Sequence, residues 1–521
     1  MNSITQLRNN SLTNSWLKLG ILSLGLAGLY SIILVVLRTP QLASFFPNPH
    51  IFKSALIIHV NLSVLIWLLS ITASVWGSKS SLRGEAKPRR GNLMKQYKIP
   101  EIATLSTFAR NDVFHLYPKL AFLATLLIAI SPIAGHNPVM NNYIPMLENI
   151  VFILGLSLFG VTLLLYAINI LYFFDWMNLN SLVNFTALST ITMFILSFVC
   201  FGWSYKGLQN IIEIIPIEIE LYYELLFWSG GHLLQFIYTQ ILIFIWVILF
   251  RELIARELKF QKFYLFLLYL NFIFGIITIF GHVSYDIIDG AFKEFYTNHM
   301  KYLGGIAPVL CLIGIGGELL LMSSRGRLIL SSRGLTTGSS KIDPAFKSRD
   351  DTVTVNDKVI KTTLLCSITL FLLGGLIAMN ITGINVVIPA HYHGSIVGIS
   401  IACMGYSYLG ITVFKNNDVI PWLDHGIQKK TKKDWILWSS HGMTFAIYLL
   451  TFGQILHILG LALAGGYGVM RKDPNSVMPM SAKLLMGMMG GGGLIAIVGG
   501  LMFVYICVKV MFFKSIKLEH E

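Results

Sequence analysis

The sequence predicts an all-α integral membrane protein of about twelve transmembrane helices, and three observations carry that prediction. Of its 521 residues, 55% are hydrophobic and only 12% charged, with a mean hydropathy of +0.69. A soluble domain is about 45–50% apolar and about 25% charged. The apolar residues gather into runs long enough to cross a bilayer, which takes about 20 residues. Lysine and arginine then fall in alternate connections, as they do when loops face the two sides of a membrane in turn.

Twelve runs qualify: 16–37, 52–76, 119–135, 146–174, 183–203, 224–250, 263–284, 300–322, 360–381, 386–413, 435–463 and 482–513. The first follows a polar stretch and has no small-residue cleavage site, so it reads as a retained span rather than a signal peptide. The third is short and carries Pro132. Base collects after the second span (Lys79, Arg83, Lys87, Arg89, Arg90, Lys95, Lys98, Arg110) and after the sixth (Arg251, Arg256, Lys259, Lys262). It collects again after the eighth (Arg325, Arg327, Arg333, Lys341, Lys347) and the tenth (Lys429, Lys430, Lys432, Lys433). The connection after the fifth is acidic, with Glu213, Glu218 and Glu220. The expected arrangement puts both termini in the cytoplasm of a bacterial-type inner membrane. The expected organisation is a single domain over 1–521 with flexible cytoplasmic loops at 78–115 and 323–358. The net charge of +14 belongs to those loops, and no nucleic-acid partner is expected.

Five cysteines lie in apolar stretches and form neither CxxC nor CxxCH. That spacing argues against a disulfide framework, a thiolate zinc site and covalently attached haem. No Walker loop and no GxGxxG after a strand occurs. A transporter with histidine proton relays would show broken helices and an inverted repeat, and neither is evident in the sequence.

The informative residues are histidines. Seven of the thirteen fall inside spans, and apart from His441 and His457 of the eleventh, five share a depth. His59, His232, His391 and His393 lie early in spans that run inward, and His282 lies late in one that runs outward, so all five belong to the outer half of the bilayer. Ionisable side chains are costly there and mark function, and imidazole is the commonest metal ligand. His391 and His393, in PAHYHGSI, stand at i and i+2. On a regular helix such residues point about 160–200° apart. They cannot ligate one mononuclear site, but each can hold a centre on its own side of the helix. A low-spin haem takes two axial histidines and a reactive haem one. Two haems would use three of the five, leaving two for a second metal.

HYH in a late span, the lone His59 in ALIIHVNLSVLIW, GGH early in span six and His282 late in span seven resemble subunit I of the haem–copper oxidase superfamily. The resemblance covers nearly the whole chain and is nearest the cbb-type, ba-type and nitric-oxide-reductase branches. It implies a twelve-helix bundle in which His59 and His393 are the axial ligands of a low-spin haem and His391 that of a high-spin haem. His232 and His282 would bind the second metal, copper or non-haem iron. Arg471 and Lys472 match the place of basic residues near the haem propionates. Electrons would come from a separate cytochrome c- or copper-bearing subunit, and the substrate would be dioxygen or nitric oxide.

Two departures stand out. The family has adjacent histidines in span seven, where this chain has His282 between Gly281 and Val283. Gln235 or Asp286 is a candidate replacement ligand, or the site binds its metal weakly or has lost it. Asp286 lies one turn beyond His282 on the same helical face and reads first as an interfacial carboxylate in water. The redox tyrosine is also missing: Phe236 and Gly275–Ile276 occupy its alternative places. That absence suits nitric oxide reduction, which needs fewer electrons than dioxygen cleavage, and also a bis-histidine haem carrier or sensor. Thr239, Gln240 and Glu318 are polar groups on the inner side, read as interhelical hydrogen bonds or a proton path. His457 reads as a packed histidine near the outer end of span eleven. His50, His115, His136, His299, His425 and His520 read as loop or interface residues.

Overall fold

The computed structural model describes residues 11–38, 50–78, 101–332, 355–383, 385–416, 428–469 and 479–512. Arg471 and Lys472 lie outside the described residues, as do 79–100 and 333–354 of the two expected loops. The described end of the first loop is helical, in a helix Glu101–Ile130.

Among the described residues, twelve helices are long and apolar enough to span: α1 Ser11–Leu37, α2 His50–Trp76, α3 Val113–Ala134, α4 Ile150–Tyr172, α5 Leu182–Ile212, α6 Ile219–Ile254, α7 Gln261–Ser284, α8 Gly290–Met322, α9 Asp357–Ala378, α10 Val387–Ile411, α11 Ser440–Gly466 and α12 Met480–Met511. Helices dominate because hydrocarbon offers the backbone no hydrogen-bond partner, so each segment must satisfy its own. The protein is an integral, multi-pass membrane protein of all-α class. Among the described residues the strands are β1 (Pro138–Val139) and β2 (Met146–Leu147), which pair antiparallel between α3 and α4.

The largest boundary difference is at α8, which begins ten residues before the apolar run that announces it. Its first stretch, Gly290–Leu303, is amphipathic, with Phe292, Tyr296 and His299 buried at i, i+4 and i+7. Lys293, Glu294 and Asn298 lower its mean hydropathy and hide it from a search for uniform apolarity. His299 is therefore a buried helix residue and not a loop or interface one.

The chain divides into two compact units, Met1–Ile241 with Phe272–Met300, and Leu242–Asn271 with Lys301–Glu521. In the first, α1 packs on α2, and α3 on α4. An aromatic knot ties them: Tyr166 lies 5.1 Å from Trp16, 5.5 Å from Tyr117 and 5.9 Å from Trp76 between ring centroids. In the second, α9 packs on α10 and α11 on α12 through small residues, which let membrane helices approach closely. A Cβ added to Gly394 would lie 2.5 Å from the Gly374 Cα, and one on Gly492 2.6 Å from the Gly453 carbonyl oxygen. Glu318, fully buried, accepts from the Phe260 amide at 2.8 Å and pairs with Arg256 at 3.4 Å. Gln240 donates to Ser189 at 2.8 Å in the first unit. The Gln240 bond is interhelical, whereas Glu318 ties α8 to the connection between α6 and α7.

Candidate functional site

The first unit places His59 on α2 just ahead of a π-helical stretch, Asn61–Ile66. Such wide turns concentrate at functional sites. His59 Nδ1 lies 3.0 Å from the Ala27 carbonyl oxygen and 2.9 Å from Ser31 Oγ, both on α1. With Nδ1–H donating to the carbonyl, the lone pair is left on Nε2, which no hydrogen bond reaches. A metal-ligating histidine is usually prepared in this way: the second ring nitrogen is tied to fix tautomer and orientation.

The second unit treats His391 alike. α10 begins at Val387, whose amide donates to Asn385 Oδ1 at 3.0 Å, and Pro389 sits in the first turn, where a missing N–H is harmless. That puts HYH in the second turn. His391 Nδ1 lies 2.9 Å from the Gly374 carbonyl oxygen of α9 and 3.3 Å from Ser395 Oγ. His393 instead meets His457 of α11, edge to face, at 4.5 Å between centroids. The two imidazoles of HYH thus address different neighbouring helices, as their spacing requires. His457 is itself held by the Met489 carbonyl oxygen, 2.9 Å from its Nδ1. No spacing rule links position 457 to 393, and only the packing of α10 on α11 brings them together.

The remaining two histidines sit in a corner of the first unit. His232 Nδ1–H donates to the Trp228 carbonyl one turn back at 2.7 Å, and its Nε2 accepts from the Tyr143 hydroxyl at 2.9 Å. Tyr143 is delivered by the turn between β1 and β2. Asn141 Oδ1 accepts the amides of Tyr143 and Ile144 at 3.1 and 2.9 Å, and Asn61 Nδ2 fixes the Pro145 carbonyl at 2.9 Å. Gly231 is what lets the phenol ring lie over α6, since a Cβ there would come within 2.4 Å of it. His282 Nε2 is engaged by Ser229 Oγ at 2.8 Å, and its ring stacks on Trp203. The Tyr296 ring neighbours both histidines, 5.1 Å from His232 and 6.5 Å from His282. Sequence reasoning missed Tyr143, Ser229, Trp203 and Tyr296, because three of the four carry no motif and Tyr296 lies in the hidden start of α8.

The candidate replacement ligands are not gathered here. α7 tightens over 275–282, where Thr278, Ile279, Gly281 and His282 each donate three residues back. It ends at Ser284, and Tyr285 is extended. Asp286 therefore stands beyond the helix, exposed, and not on the face of His282. Gln235 is half-buried on α6. Among the described residues no three His, Cys, Asp or Glu side chains cluster as a metal would require. At the tyrosine places, Phe236 is fully buried against His299 at 5.1 Å, and a Cβ on Gly275 would meet Met193 Sδ at 2.5 Å and Phe236 Cβ at 3.3 Å.

The fold matches that of a solved structure, the cryo-EM structure of a heme-copper terminal oxidase dimer, with a TM-score of 0.65 over 99% of this chain and 85% of that one, at 12% identity. The protein is thus a twelve-helix membrane protein of the heme–copper oxidase fold. An uncharacterized protein of Rickettsia prowazekii (strain Madrid E) is 71% identical over 526 residues, covering 100% of both chains, and this chain belongs to its family. An uncharacterized protein of Aquifex aeolicus (strain VF5) is 24% identical over 400 residues, covering 76% of this chain and 83% of that protein. No family model matches.

Proposed function

We propose that the chain is the haem-bearing core subunit of a respiratory oxidoreductase that reduces dioxygen to water. His59 and His393 would hold a low-spin haem and His391 a high-spin haem. Haem, when bound, supplies one-electron chemistry and, on a single axial histidine, a free coordination position for a diatomic molecule. What supports the reading is the tied Nδ1 of His59 and of His391, which leaves Nε2 of each ring free to ligate. Electrons come from a cytochrome c- or copper-bearing partner subunit, since this chain carries no CxxCH. The basic loops after α2, α6, α8 and α10 support a cytoplasmic location for them and for both termini.

Nitric oxide is the second reading, favoured by the apolar residues at Phe236 and Gly275. Dioxygen is preferred because Tyr143 brings a phenol onto His232 from a different part of the chain. The test is a reduced-minus-oxidised spectrum of the purified protein with and without carbon monoxide, followed by turnover with each gas. Two haem signals, one of them shifted by carbon monoxide, are expected. A single haem indifferent to carbon monoxide would leave only an electron carrier, and no haem would overturn the reading altogether.

A further inference from the structure

The resemblance calls for copper or non-haem iron on His232 and His282, and the residues present do not fit it. We infer that this corner is closed to a metal by two tyrosines, so that among the described residues the haem reading leaves haem iron as the only metal. The inference rests on the haem reading above and changes what stands at its second centre.

The hydrogen-bond directions run one way: Tyr143 O–H to Nε2 of His232, and its Nδ1–H to the Trp228 carbonyl. The lone pair that a metal needs is already occupied by a phenol proton. That phenol is held by a built turn, Asn141 and Asn61 fixing its backbone on either side. His282 is turned to Ser229 and stacked on Trp203. The second closure is at Gly281, in the stretch where the family pattern has adjacent histidines. A Cβ there would lie 2.6 Å from Cε2, Cζ and Oη of Tyr296. The missing ligand and the inserted ring are therefore complementary: Tyr296 occupies the volume a residue-281 side chain would need.

The chemistry of the lining points the same way. The buried Trp228 Nε1–H has no hydrogen-bond partner. An indole N–H can only donate, so it offers a metal ion no lone pair. The candidate carboxylate Asp286 is exposed beyond the end of α7. With both nitrogens of His232 engaged and no third ligand among the described residues, a divalent first-row metal would have to break the Tyr143–His232 bond and would remain under-coordinated beside His282.

The experiment is metal and haem analysis of the full-length, haem-loaded protein after dialysis against a chelator, each content referred to protein. Iron equal to haem, with no copper, is expected. Copper equal to protein, or iron in excess of haem, overturns the inference whatever the haem spectrum shows. Loss of haem with no other metal sinks the functional reading but leaves the corner metal-free, so the two failures are distinguishable. Electron paramagnetic resonance of the oxidised protein gives an independent readout: no copper signal with nitrogen hyperfine structure is expected, and its appearance contradicts the closure.

Discussion

α10 and the corner formed by α6, α7 and the start of α8 both carry histidines, yet they treat the imidazole in opposite ways. On α10, His391 has Nδ1 on a carbonyl and Nε2 free. In the corner, His232 has both nitrogens engaged, and His282 has Nε2 on a serine hydroxyl. The arrangement at His391 prepares a ligand, whereas His232 is already satisfied at both nitrogens. Histidine content and depth are therefore poor guides to metal binding on their own. What decides is which ring nitrogen the surrounding helices leave unpaired, because burial of an unsatisfied nitrogen is costly unless a ligand takes it.

The contrast can be broken or sharpened by substitution. The largest effect is expected for His391→Ala, which should abolish the carbon-monoxide-sensitive haem band and spare the low-spin band. His59→Ala should do the reverse, and both altering the same band would refute the assignment of His391 and His59 to different haems. Gly281→Ala follows. Its methyl would drive into Tyr296, and overpacking of this kind costs about 2–3 kcal/mol, seen as a lower thermal midpoint in detergent. An unchanged midpoint would mean Tyr296 is free to move and the corner is less closed than drawn. Tyr143→Phe should cost less, about 1–2 kcal/mol, by leaving a buried imidazole nitrogen unpaired. Ser395→Ala is the smallest, about 0.5 kcal/mol, because the Gly374 carbonyl still holds His391. Its haem band should be unshifted, and a large shift would show that the serine sets the ring's orientation.

Much of this was legible in the sequence. The helix count followed from run length, since a bilayer imposes a minimum on every span. The split of HYH onto two neighbours followed from helical periodicity, and the structure has His391 on α9 and His393 on α11. Periodicity failed where the helix did. The turns of α7 tighten before His282, and the helix ends before Asp286, so the two do not share a face. The start of α8 stayed hidden because its apolar face is only one stripe, and with it went Tyr296 and the burial of His299.

By itself, then, the sequence determined the class of protein, the spans and the histidines worth attention, because hydrophobic length and residue spacing are local properties of one chain segment. Only the tertiary structure decided what each imidazole does. Its partners come from far away in sequence: Ala27 for His59, Gly374 for His391, Tyr143 for His232. A hydrogen bond between residues 17 to 89 positions apart leaves no trace in local pattern. It exists because helices and one short turn pack in a particular arrangement, and that arrangement separates a histidine ready to bind from one already satisfied.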